Sequence, residues 1–174
     1  LAIGGAALTP NDVVRLLLFF GMSFLYMAFF TVLSMGIATV STKGSRALLI
    51  TVIIWLVLSF VFPQIGDTMD MDNQIPGGFF SSMGMSRDQE TQVMQQFKFY
   101  ETVRDSIEEM SPTKHYERIS YALLNVKPGF ETNTPWEVMG LKWINLLGLL
   151  APSIAIWLLT YTAFLRREDI YQTN

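Results

Sequence analysis

The sequence has no cysteine, so neither disulfides nor thiolate metal sites can form. That absence leaves the compartment open. Histidine occurs once, at His115, without cysteine or carboxylate at ligand spacing, which makes a poor metal site and suits a surface or hydrogen-bonded histidine. Charge is scarce, at 16% of residues, and none falls between Leu16 and Val40 or between Ala47 and Phe62. Ion pumps and proton relays need ionisable groups within the membrane, so this part of the chain does not read as a proton-coupled carrier. The apolar runs hold no Ser/His pair, paired aspartates or His-Glu-x-x-His, which leaves an intramembrane enzyme without support. Net charge is −3 and no basic aromatic patch occurs, so no nucleic acid is expected as a partner.

What is present is long apolar sequence, and mean hydropathy is +0.34. Leu16–Val40 gives 25 residues without a charge, enough for a helix to cross a bilayer with some tilt. Ala47–Phe62 gives 16, the short end of that range. In lipid the backbone must satisfy its own hydrogen bonds, which a helix does locally. Residues 16–63 therefore read as a transmembrane hairpin, with Pro63 ending the second helix. Its turn is Ser41, Thr42, Lys43, Gly44, Ser45 and Arg46. Lys43 and Arg46 place that turn in the cytoplasm by the positive-inside rule. Gly21, Ser23, Ala28, Thr31, Ser34, Gly36 and Ala38 suit close helix packing.

Ahead of the hairpin, residues 1–15 form an extracytoplasmic start. Leu1–Leu8 is small and apolar, like the end of an earlier element. Thr9-Pro10-Asn11-Asp12 is a helix start, with a cap, proline in the first turn and an acidic residue at the positive end. Arg15 reads as snorkelling to the outer headgroups.

Residues 64–140 hold 12 of the 15 acidic residues and six of the 12 basic ones, an acidic insert between membrane segments. Gln64–Met85 is a loop carrying Asp67, Asp70 and Asp72 together with Met69, Met71, Met83 and Met85. Alternating Asp suggests Ca²⁺ and Met-x-Met suggests Cu(I), but the loop lacks the glycine and terminal glutamate of an EF-hand. The plain reading is a solvated acidic loop. Ser86-Arg87-Asp88-Gln89 fits a capping box opening a helix with a stripe at Val93, Phe97, Tyr100, Val103, Ile107 and Met110. Ser111-Pro112 starts another. Glu108-Glu109 belongs to a solvated face.

Thr134-Pro135-Trp136-Glu137 is a further helix start. The last membrane helix is expected over 141–165, with Trp136, Lys142 and Trp143 at the outer interface, Asn145 able to bond another helix and Pro152 within it. It runs into Arg166 and Arg167, another cytoplasmic mark, followed by Glu168 and Asp169 in a cytoplasmic tail, 166–174. The fold class is an all-α membrane protein: three transmembrane helices with an α-helical extracytoplasmic insert. An outside start implies earlier spans.

This arrangement resembles the C-terminal half of an ABC-2 type membrane permease, of the subgroup with a helical extracellular insert before the last span. The resemblance rests on the 41–46 turn followed by Ala47, the span closing on Pro63, the helical insert, and the ending Phe164-Leu165-Arg166-Arg167-Glu168-Asp169-Ile170. It implies that these are the last three of six spans. It further implies a second permease copy or paralogue and a cytoplasmic ABC ATP-binding subunit that carries ATP and Mg, with no cofactor in this chain. The chain has no Gly-x-x-x-x-Gly-Lys-Ser/Thr loop of its own. The setting implied is a multi-pass protein of the plasma (cell inner) membrane, acting in ATP-driven export of an unidentified substrate. The turn 41–46 would approach the ATPase, or simply fix orientation against anionic lipid. The competing expectation is a membrane anchor without transport, whose residues 64–140 bind an extracytoplasmic protein.

Overall fold

The computed structural model describes residues 2–3, 6–7, 9–70, 78–126 and 129–172. Among the described residues the elements are helical apart from a two-residue antiparallel ladder, β1 (Ala2–Ile3) with β2 (Ala6–Ala7). Among the described residues three helical runs are long and apolar enough to cross a membrane: Pro10–Val40, Gly44–Met69 and Trp143–Arg166. The chain divides into two compact units, residues 1–55 with 115–174, and residues 56–114.

The first unit is built on α1 (Pro10–Val40) and α9 (Trp143–Gln172). The start of α1 follows its local chemistry. Thr9 caps it, the Asp12 carboxylate accepts the Thr9 amide at 2.9 Å, and Pro10 sits in the first turn. The two helices run in the same direction. Near their first halves Met22 and Leu149 share a core with Ile119, Ala122, Leu123 and Val138. Further along, a Cβ on Gly36 would lie 2.7 Å from Thr160 Oγ1, so any side chain at 36 would force Thr160 to shift. Gly21 meets nothing within 4 Å and has no such packing role.

Helix α2 (Gly44–Leu56) follows α1 after a turn of three residues, Ser41–Lys43. Gly44, Ser45 and Arg46, expected in the turn, form the first turn of α2. The hairpin does not close tightly: a cleft of about 400 Å³ separates α1 and α2, lined by Met35, Ala38, Ala47, Leu48 and Thr51. The main partner of α1 is α9. Most apolar side chains of α2 face outward, Leu48 at 69% exposure among them, as expected of a surface solvated by lipid tails.

The unit is completed by α7 (Pro112–Leu123), whose later turns lie in it, and by α8 (Pro135–Leu141). Thr134 and Glu137 form the expected capping box. Glu137's carboxyl is held below its ordinary range, first by the Thr134 backbone amide and then by its hydroxyl. Lys142 separates α8 from α9 with φ −104° and ψ 17°. Helix α9 passes through Pro152 and does not stop at Leu165; it runs on to Gln172, so the segment expected as a short tail begins as helix.

In the second unit Pro63 does not end the helix. A π-helical segment, Val57–Val61, leads into α3 (Phe62–Met69), and Pro63 lies in the first turn of α3. The reason is visible in the hydrogen bonds. Phe62 N–H reaches back five residues to the Val57 carbonyl. In that register the next bond would run from residue 63 to the Leu58 carbonyl, and proline has no N–H to give. The hydroxyl of the fully buried Ser111 donates to Leu58 O instead, at 2.8 Å. The same oxygen accepts the Lys114 amide at 3.3 Å and so opens α7, as the Ser-Pro start predicts.

The remaining elements are α4 (Phe79–Ser82), α5 (Arg87–Gln96) and α6 (Lys98–Glu109). The Ser86–Gln89 capping box opens α5 as expected. The single stripe expected from Val93 to Met110 is broken in two by Phe97, at φ −102° and ψ 11°. Helices α3 and α6 cross closely at Gly66, where a Cβ would come within 2.6 Å of the Glu108 side chain.

Candidate functional site

Two polar regions mark the first unit, at opposite ends of the α1/α9 pair. One is the basic end. Val40 and Ala163 line the same groove between the helices, so the turn after α1 and Arg166 after Ala163 lie at the same end. Thr42, Lys43, Gly44, Ser45 and Arg46 are exposed, Ser41 is half-buried and Arg166 is exposed. Ser41 closes α1, its amide donating to the Ile37 and Ala38 carbonyls. Ala47 N–H donates to Lys43 O, setting the first turn of α2. The amino end of α2 thus carries the positive end of the helix dipole together with Lys43 and Arg46. No acidic residue occurs between Asp12 and Asp67 in the sequence. This surface suits an anionic counterpart, either an acidic protein face or lipid headgroups. Residues 167–169 continue α9.

The opposite end is held by Arg15, and here the structure corrects the expectation. Arg15 does not snorkel: it is 6% exposed. Its guanidinium Nη1 donates to the carbonyls of Leu123 (3.1 Å) and, weakly, Ala122 (3.4 Å), and to Asn125 Oδ1 (2.6 Å). Nη2 donates to the carbonyls of Phe130 (3.0 Å) and Asn133 (2.5 Å). The acceptors include the final carbonyls of α7. That helix ends with Asn125 in the left-handed region (φ 53°) and Val126 N–H closing on Tyr121 O at 3.0 Å. Those two carbonyls at the negative helix end receive a full positive charge. One side chain therefore fastens the start of α1 to α7 and to the connection leading into α8.

Further contacts continue this belt. Ser23 Oγ lies 2.9 Å from Tyr116 Oη, and the Tyr116 ring stacks on Tyr26 with centroids 4.9 Å apart. His115, buried, lies with Nδ1 3.2 Å from Asn145 Oδ1, which fulfils the expectation for Asn145. The His115 ring lies directly over Gly148, where any Cβ would collide with it. Lys142 sits 5.1 Å above the Phe130 ring, and Trp136 and Trp143 are exposed.

In the second unit four acidic residues, Asp67, Asp70, Asp105 and Glu108, are engaged by cationic side chains. Lys114 Nζ meets Asp67 at 2.5 Å and Glu108 at 3.8 Å; Arg104 meets Asp70 at 3.6 Å and Asp105 at 3.0 Å. Asp72 and Met71, part of the Ca²⁺ and Cu(I) readings, lie outside the described residues. Among the described residues no group of three His, Cys, Asp or Glu side chains stands at metal-binding distance. The anchoring role of Arg15 and the bond from Ser111 to Leu58 O are what the sequence did not disclose. An arginine at the head of an uncharged run was the available signal for the first, but its partners, four carbonyls and Asn125 Oδ1, lie more than a hundred residues away.

A protein-family model described as an ABC-2 family transporter protein matches residues 1–169. No curated protein and no solved structure matches the chain.

Proposed function

Since the chain belongs to the ABC-2 transporter family, we propose that it works in ATP-driven export across the plasma membrane, with its basic end in the cytoplasm. The chain is a multi-pass membrane protein and a permease component of an ABC transporter. The family implies association with an ABC ATP-binding subunit, which would carry ATP and Mg, and a second permease copy or paralogue. In this reading the present spans are the last three of six, and residues 64–140 face outside.

The observation that carries the reading is the shared basic end. Lys43, Arg46 and Arg166 lie at one end of two helices that run in the same direction, as the positive-inside rule requires of two spans ending in the cytoplasm. Residues 41–46 would meet the ATPase there. Nucleotide-driven closure would then move α1 and α9 as a pair, because Gly36 locks them at one end and Arg15 binds α1 to α7 at the other. The open cleft between α1 and α2 gives the turn room to shift. Family membership favours this reading over a transport-free anchor.

The test is affinity purification of the full-length protein in mild detergent, with mass spectrometry and an ATPase assay. A stoichiometric ATP-binding subunit, with activity that falls on Lys43→Glu/Arg46→Glu, supports the proposal. A preparation without ATPase, holding an extracytoplasmic protein through residues 64–140, refutes it and leaves the anchor.

A further inference from the structure

Within residues 56–114 the break at Phe97 shapes a half-open cavity of about 270 Å³. Its lining is Met69 from the end of α3, Met94 from α5, Phe97, and Tyr100, Glu101 and Arg104 from α6. The Phe97 and Tyr100 rings stand 6.2 Å apart at 50°, forming two sides of an aromatic corner. Two thioethers supply a soft, polarizable wall. The cavity lies just below the range that ligand sites usually occupy, about 300–1,000 Å³, and so suits only a small molecule.

Two charged side chains reach this cavity, and they are not equivalent. Arg104 is already committed to Asp105 and Asp70. Glu101 makes no side-chain hydrogen bond or ion pair with any described residue. Asp70, Glu101 and Asp105 thus set three carboxylates against one guanidinium in the immediate surroundings. A bare metal ion would find a single open carboxylate among carbon and sulfur, too few hard ligands for Ca²⁺ or Mg²⁺. An anion would meet net negative charge. An ammonium group carried on an apolar body meets a free carboxylate, two aromatic rings and two methionines.

We propose that this cavity binds a small organic cation: a quaternary or alkylated ammonium bearing an aromatic or aliphatic group. The site depends on neither the sidedness of the chain nor the ATPase, so its test stands apart from the transport reading.

The full chain, reconstituted in lipid nanodiscs with ¹³C-methyl methionine, is titrated with benzyltrimethylammonium and separately with the anion of similar size, phenylmethanesulfonate. Met69 and Met94 resonances are assigned by Met69→Leu and Met94→Leu. The cation is expected to shift both methyls saturably while the exposed Met83 and Met110 stay in place. It should bind about tenfold or more tightly than the sulfonate. Glu101→Gln should weaken the cation about tenfold, and Tyr100→Leu should weaken it without creating affinity for the sulfonate. Absent or unsaturable shifts, equal or better binding of the sulfonate, or undiminished binding by Glu101→Gln overturns the proposal. Comparison of cation with anion on the unaltered chain decides the matter even where a variant fails to fold.

Discussion

Arg15 carries the largest single polar responsibility among the described residues. Its guanidinium serves five acceptors, two of them the last carbonyls of α7. Replacement by methionine keeps the stem but leaves buried carbonyls without donors, which costs about 1–3 kcal/mol for each group left wholly unpaired. Arg15→Met should therefore destabilise the folded chain by about 2–4 kcal/mol, read as a fall in thermal unfolding midpoint in detergent. Arg15→Lys should recover only part, because an ammonium has no planar fork to span both groups of acceptors. An unchanged midpoint in Arg15→Met would show that the clamp is idle. Glu137 makes a prediction of opposite character. Its carboxyl is held below the ordinary range by the Thr134 amide and hydroxyl, so its capping contribution is complete above the unfolded value. That contribution is lost as pH falls through the lowered native value. Glu137→Gln should flatten the acid-side loss of α8 amide protection in hydrogen exchange, after correction for intrinsic rates. A loss that is the same in both chains would separate α8 from this carboxyl.

Among the elements, starts were legible and interruptions were not. Thr9-Pro10-Asn11-Asp12, Ser86-Arg87-Asp88-Gln89 and Thr134-Pro135-Trp136-Glu137 each encode a helix start within four residues, because the cap and its amides are close in sequence. The breaks at Phe97 and Lys142 shift φ and ψ at one residue while the apolar spacing continues across them, so periodicity passes over them. Pro63 was a strong stop signal by local rules, yet the helical run survives it. The π-helical register and Ser111, 53 positions away from Leu58, satisfy the carbonyl that proline leaves without a donor. Ser111→Ala should cost about 1–2 kcal/mol. In a Pro63→Ala background, residue 63 regains an N–H and the same substitution should cost less; a double-mutant cycle measures that coupling. Strictly additive effects would contradict the assignment. The α1/α9 contact gives the parallel case for packing. Gly36→Leu, pressed against Thr160, should destabilise the pair by about 1–3 kcal/mol, whereas Gly21→Leu, facing open space, should be near neutral. Equal effects at the two glycines would mean that the helices do not meet at Gly36.

At the scale of the whole molecule, composition announced a membrane protein because three runs are apolar and long enough to cross a bilayer. It did not announce which spans pair. The hairpin α1–α2 is contiguous in sequence, but α9, more than a hundred residues later, is the helix that packs along α1. Helix contacts in lipid depend on surface shape, which a uniformly apolar sequence records only at small residues such as Gly36. Both the proposed contact with an ATPase and the proposed outward placement of residues 64–140 rest on one property, the sidedness of the basic end. Because the chain has no cysteine, a single introduced thiol reports its own position without background from the chain. Thr42→Cys in the turn and Ser106→Cys on α6 are both exposed positions. Labelling intact cells with a membrane-impermeant maleimide should modify Ser106→Cys at once and Thr42→Cys only after the membrane is opened. Modification of Thr42→Cys in intact cells, with Ser106→Cys protected until lysis, would invert the chain in the membrane and contradict its proposed role as an exporter permease with a cytoplasmic basic end.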